Sequence, residues 1–219
     1  MAREAAAMMK RFWSPVMLAA AAALCAAAIA LGQSTGTADL GVGKLLVAAR
    51  DLGDPSFAQS VVLLVQYDQS GTVGLMINRR TQMPLSRALQ DIDAAKVKSD
   101  PIYLGGPVQL DAVLALVRSQ KKPDEAASVL TDVYLISSKP PLEKALAASS
   151  GPSDLRIYLG YCGWDRGQLE NEVRLGGWWI FDATAGMVFD SDPDTVWSRF
   201  IAKTEEQIAE AAPPGTGLR

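Results

Sequence analysis

Histidine is absent from all 219 residues. That gap removes Ser-His-Asp and Cys-His nucleophilic catalysis, imidazole acid–base chemistry and every histidine-ligated metal site. Cysteine is scarce as well. Of two residues, Cys25 lies in an N-terminal apolar run, and Cys162 alone is left to the body of the chain. A body with one cysteine has no internal disulfide and no cysteine-built zinc site. Concentrated positive charge is also missing. Arg3, Lys10 and Arg11 against Glu4 give residues 1–32 a net +2, so the whole-chain −3 leaves −5 for residues 33–219. A mildly acidic body without a lysine/arginine stripe matches a phosphate backbone poorly, so nucleic acid is not an expected partner.

What is present is core-forming material, with 49% hydrophobic and 21% charged residues. Its first portion reads as a targeting segment. Lys10-Arg11 precede an uncharged, alanine-rich run from Pro15 to Leu31, or from Phe12 if the two aromatics are counted. Small residues place possible cleavage sites after Ala30 and after Gly32. The run is intermediate between a signal h-region and a short spanning helix. Alanine's weak contribution to insertion favours a cleaved signal, with an anchor as the alternative. Residues 1–32 are thus a signal peptide or membrane anchor, with membrane contact through residues 12–31 if uncleaved. Residues 33–43 form a small, polar linker, 44–210 the domain and 211–219 a Pro/Gly-rich tail.

The body alternates strand and helix patterns. Strands are predicted at Leu45–Ala49, Ser60–Tyr67, Thr72–Asn78, Ile102–Leu104, Val113–Val117, Val133–Ile136, Leu155–Tyr161 and Trp178–Phe181. Helices are predicted at Leu85–Ile92, Pro141–Ala148, Gln168–Leu175 and from about Asp194 to Ala209, the last capped by Asp192-Pro193. Asp54 is placed to cap a turn that has Pro55 in its first position. The Asp68–Gly71 turn makes a hairpin, which argues for one mixed α/β domain rather than a purely parallel sheet.

The most informative segment is Leu159-Gly-Tyr-Cys-Gly-Trp-Asp-Arg-Gly-Gln-Leu-Glu170. It reads as a strand, a glycine-punctuated loop and a helix start, a junction that can offer backbone N–H groups to an anion. It is no P-loop, because no Lys-Ser/Thr follows the glycines, and Gly160, Gly163 and Gly167 have the wrong spacing for a dinucleotide fingerprint. No cofactor and no metal are expected. Two readings stand side by side. Cys162 is a reactive thiol beside Arg166, or a small buried residue. Asp165, Glu170 and Glu172 do acid–base work, or simply complement a helix dipole. Asn78-Arg79-Arg80 is an anion site or a solvated strand end. The Trp178-Trp179 pair and Tyr103, Tyr134, Tyr158 and Tyr161 can line a groove, alternation putting one tryptophan inward and one outward.

From about Gly43 to Phe200 the chain resembles the YqgE/AlgH family. The resemblance rests on five stretches in order: Lys44-Leu-Leu-Val-Ala, Asp54-Pro-Ser-Phe57 with Ser60-Val-Val-Leu, Gly71–Asn78, Leu104-Gly-Gly-Pro-Val108, and Leu159–Trp164 leading to Gly167-Gln-Leu-Glu170. It implies a branched mixed β-sheet, partly closed into a small barrel and flanked by helices. It supplies no established reaction. Relatives usually carry histidine where this chain has Tyr67, and again near Val117, so imidazole chemistry attributed to the family cannot operate here.

The resulting expectation is a non-enzymatic binding or regulatory domain for an unknown protein or small-molecule partner. It would be placed in the periplasm or on the inner membrane facing it, or in the cytosol as for most relatives. The candidate surface is Tyr161, Cys162, Trp164, Asp165, Arg166, Gln168 and Glu170, with Gly106 and Pro107 beside it. The alternatives are a carboxylate- or thiol-dependent enzyme, and a transcriptional regulator suggested by family naming alone.

Overall fold

The computed structural model describes residues 39–211. The expected signal or anchor, most of the linker and the tail beyond 211 lie outside them. Ten strands and five α-helices follow in mixed order. The strands are β1 (Lys44–Ala48), β2 (Val61–Asp68), β3 (Gly71–Met76), β4 (Arg80–Pro84), β5 (Pro101–Leu104), β6 (Val108–Arg118), β7 (Ala127–Ser128), β8 (Val133–Ile136), β9 (Leu155–Trp164) and β10 (Trp178–Asp182). The helices are α1 (Leu85–Ala88), α2 (Lys139–Ala148), α3 (Gln168–Arg174), α4 (Ala185–Val188) and α5 (Val196–Ala211).

The strands form one branched, strongly curled sheet in the order β10-β1-β2-β3-β9-β6-β8-β7, with β5 and then β4 branching from β9. All pairings are antiparallel except β5 with β9. Strand β9 is the hub. Tyr158 and Leu159 pair with β5, and Cys162, Gly163 and Trp164 pair with β3 on the same edge, while β6 takes the other edge.

The branch is stitched by Gly105. Its N–H donates to Leu159 O (2.8 Å), its C=O accepts from Met76 N (2.8 Å), and the Cys162 thiol donates to that same oxygen (3.3 Å). A Cβ at Gly105 would lie 2.2 Å from Gly160 O, so only glycine admits this backbone approach. Gly160 itself sits at φ +69°, which lets β9 turn from one partner strand to the next.

Two apolar clusters follow from the branch. One gathers β1, β2, β3, β10, the end of β9, and the buried faces of α3, α4 and α5. The other packs α1 and α2 against β5, β6, β8 and the start of β9. Each fully buried leucine or isoleucine contributes about 1.5–3 kcal/mol relative to exposure. Arg156 joins the layers from a buried position. Its guanidinium donates to the carbonyls of Pro152, Val188 and Asp190 and lies over the Tyr103 ring, 4.9 Å from the centroid.

Several expectations change. Cys162-Gly163-Trp164 is strand rather than loop, because β3 pairs with it residue by residue along one edge. The loop is thereby reduced to residues 165–167, where Asp165 N donates to Gln168 Oε1. Arg80–Pro84 is an additional strand, and the pattern read as a helix to Ile92 leaves the α-helix after Ala88, where Leu89 turns to φ −120°, ψ 55°. Leu89 and Ile92 still reach the second core. Val113–Val117 falls within the longer β6, α4 is an additional short helix capped by Thr184, and α2 begins at Lys139. Asp54 does accept from Ser56 N at 2.8 Å, with Pro55 in the first position. Asp192 makes no cap to backbone; its carboxylate accepts instead from Thr195 Oγ1 at 2.8 Å.

Candidate functional site

The register of β2, β3 and β9 sorts the motif residues onto two faces. Tyr67, Thr72 and Trp164 are directly opposite one another in one row, and Gln66, Val73 and Gly163 in the next. Directly opposed residues share a face and successive rows alternate. Trp164 therefore points into the core with Cys162, while Tyr161 and Gly163 look outward.

On the inward side the chemistry is tied up. Cys162 is fully buried, and burial pushes its thiol pKa well above the ordinary value, against a smaller lowering by the Met76 backbone. Arg166 is exposed on the following turn and is not among the groups acting on the thiol, so of the two readings of Cys162 the small buried residue is the one observed. Trp164 is 3% exposed; it stacks on Phe57 (5.6 Å between centroids) and meets Trp178 edge-on (6.1 Å). Glu172 Oε2 accepts from both indoles, Trp164 Nε1 at 3.0 Å and Trp178 Nε1 at 2.9 Å, and its Oε1 accepts from Gln168 Nε2 at 3.1 Å. Glu170 Oε1 accepts from the Tyr67 hydroxyl at 2.8 Å. Burial first, and then this bond to Glu170, raise the Tyr67 pKa. Asp165, Glu170 and Glu172 do not converge, and the described residues contain no group of three or more acidic or cysteine side chains placed to hold a metal ion.

On the outward side is a shallow depression of about 380 Å³. Val73, Val108 and Gly163 give it an apolar floor, and Gln66, Ser70, Tyr161, Asp165 and Gln168 supply polar groups at its edge. Tyr161 is half-buried, with ring carbons 3.4 Å from where a Gly163 Cβ would stand. Gln168 Oε1 accepts from Asp165 N (3.1 Å), which fixes the turn leading into α3. Gly106 and Pro107 lie alongside: Gly106 is packed on the Tyr161 backbone and buried, while Pro107 is exposed.

The structure thus brings Tyr161, Asp165 and Gln168 to one depression and sends Cys162 and Trp164 into the core beneath it. Glu170 sits behind, on the Tyr67 side. Gln66, Ser70, Val73 and Val108 were not legible as site residues, since strand register brings them in; the polar turn Asp68–Gly71 was the available signal. The tyrosine groove does not form: Tyr103, Tyr134 and Tyr158 are buried, leaving Tyr161 at the surface. Trp178 is inward as alternation requires, and Trp179 is half-buried rather than free. The Asn78–Arg80 segment is used internally. Asn78 accepts from Val61 N (2.8 Å) and donates to Gln59 O (2.9 Å), Arg79 donates to Ala58 O, and Arg80 pairs with Asp194.

Comparison with known proteins agrees with this architecture. A family model described as AlgH-like matches residues 45–209. A UPF0301 protein of Chlorobium phaeobacteroides is 31% identical over 179 residues, covering 80% of this chain and 94% of its own. One from Dechloromonas aromatica is 34% identical over 155 residues, covering 69% and 83%. The solution structure of the AlgH protein of Pseudomonas aeruginosa superposes with a TM-score of 0.61 at 30% identity, over 80% of this chain and 95% of that one. The crystal structure of a Corynebacterium diphtheriae protein gives 0.64 at 22% identity, covering 75% and 87%, and speaks to fold alone.

Proposed function

The chain belongs to the AlgH-like family, and from that premise we propose that it is a non-catalytic binding domain acting through the outward face of the Tyr161–Gln168 segment. One observation carries the reading. At this motif the thiol and two of the three carboxylates are occupied inside the fold, and the third, Asp165, faces solvent with no second carboxylate or thiol beside it in the depression. The Cys162 thiol is buried and held protonated, Glu172 is bracketed by two indoles, and Glu170 is bonded to Tyr67. Tyr161, Asp165, Gln168 and Ser70 line an open depression. A shallow, mostly neutral depression of this kind suits a segment of a partner better than a substrate that must be enclosed.

Export completes the proposal. The basic and apolar pattern of residues 1–32 supports delivery across, or attachment to, the inner membrane. No helix among the described residues is long and apolar enough to cross a membrane, so an anchor would rest on residues 12–31. Fractionation of a C-terminally tagged full chain, with N-terminal sequencing, tests this part. A cytosolic product with an intact N-terminus contradicts it.

The binding part is tested by covalent capture in the native cells, with full-length wild type beside a Tyr161→Ala/Asp165→Lys double variant. Loss of a specific captured partner in the double variant, at unchanged thermal stability, supports the reading. Equal capture by both contradicts it.

A further inference from the structure

A second concavity, of about 460 Å³, lies away from the motif, between the β6–β7 loop and the later turns of α2. Its floor is apolar and made of small side chains: Val117, Pro123, Pro141, Ala145 and Ala148. Its rim carries Arg118, Lys121, Lys122 and Lys144 against Asp124 and Asp154, a net of +2 on a body whose total is negative. Acidic partners are plentiful elsewhere in this chain. Even so, among the described residues neither Lys121 nor Lys122 forms an ion pair.

The two carboxylates do little to neutralise the rim. Asp154 is turned to its own loop, accepting from Ser149 Oγ (2.9 Å), Gly151 N (3.1 Å), and both the N–H and the hydroxyl of Ser150 (3.1 Å each). Asp124 stands 4.0 Å from Lys144 with both side chains largely in water, a contact worth little. Arg118 is paired at 3.2 Å with Asp132, which is outside the groove lining.

The lysines sit on an ordered loop. Ser119 Oγ accepts from Lys121 N (3.2 Å) and donates to Lys121 O (2.7 Å), Ser119 N donates to Asp132 O (2.9 Å), and Arg118 N donates to Asp154 O (2.8 Å). An ordered backbone therefore carries two unpaired ammonium groups at the mouth of a small apolar-floored groove. That arrangement is favourable to an anion, and binding one would order the two side chains but not the backbone.

We propose that this groove is an anion-binding site for a phosphate-bearing ligand, the phosphate held by Lys121 and Lys122 and its non-polar part resting on Ala145 and Ala148. Phosphate chemistry can reach the site from a soluble phosphate compound or from an acidic phospholipid headgroup.

The test uses the full chain and two probes: inorganic pyrophosphate followed by calorimetry, and vesicles of phosphatidylcholine with or without phosphatidylglycerol followed by co-sedimentation. Variants are Lys121→Glu/Lys122→Glu and, as an exposed cation elsewhere, Lys203→Glu. The proposal expects saturable binding of at least one probe, weakened about tenfold or more by the double reversal, unchanged by Lys203→Glu and reduced by added salt. Pyrophosphate binding identifies a soluble source; binding to phosphatidylglycerol vesicles alone identifies a headgroup. No saturable binding of either probe, or binding that survives Lys121→Glu/Lys122→Glu, overturns the proposal.

Discussion

The Tyr67 hydroxyl donates to Glu170 Oε1 across 2.8 Å and so ties strand β2 to helix α3. A phenol there keeps a neutral donor facing the carboxylate through the physiological range, where an imidazole would titrate. Tyr67→Phe should cost about 1–2 kcal/mol at neutral pH, as for loss of a bond to a charged acceptor. Because the Tyr67 pKa is raised in the folded state, its contribution is complete below the ordinary phenol pKa of about 10 and is lost as pH rises through the folded value. Urea melts of wild type and Tyr67→Phe should therefore converge in strongly alkaline buffer and differ most at pH 7.

Glu172 is held by two tryptophans, and it is not free for catalysis. Glu172→Ala leaves the indole N–H groups of Trp164 and Trp178 without their acceptor. The expected loss is about 2–4 kcal/mol, with a change in tryptophan fluorescence, whereas Glu172→Gln keeps a carbonyl acceptor and loses less. Equal stability of Glu172→Ala and wild type would refute this arrangement.

Cys162 should behave as core. With the thiol buried, bonded to Gly105 O and its pKa pushed up, native protein treated with a thiol reagent should show no label on the Cys162 peptide by mass spectrometry. Label should appear only in denaturant. Rapid labelling of native protein at that peptide would restore the thiol-enzyme reading.

The sheet branch should tolerate no side chain at Gly105. Gly105→Ala places a methyl 2.2 Å from Gly160 O, and the strain should cost about 3 kcal/mol or more. Gly53→Ala, where nothing lies within 4 Å of the added carbon, should change stability by well under 1 kcal/mol. Thermal denaturation of the two variants makes the comparison.

Much of the sheet was legible because β1, β2, β3, β8 and β10 are apolar runs bounded by turn residues. Strand β4 was not, since Arg80-Thr-Gln-Met-Pro84 has little apolar surface and owes its place to pairing with β5. The glycines around Cys162 read as a loop because a strand that changes partners needs the same residue a turn needs, and only the β3 pairing separates the two cases. The site was half legible. Tyr161, Asp165 and Gln168 stand within one sequence motif, but the hairpin residues that complete the depression come from long-range register. That register also turns Cys162 and Trp164 inward, which a glycine-rich segment does not reveal by itself.

The central claim is that the outward face at Tyr161–Gln168 binds a partner while the residues behind it only support the fold. The most direct measurement is site-specific photo-cross-linking in the native cells. A photoreactive residue is placed at Gln168 in one full-length variant and, as a control, at the exposed Lys203 on α5 in another. A discrete adduct from position 168, absent from position 203 and lost on adding Tyr161→Ala, is the predicted result. No adduct at 168, or the same adducts from both positions, would contradict the account.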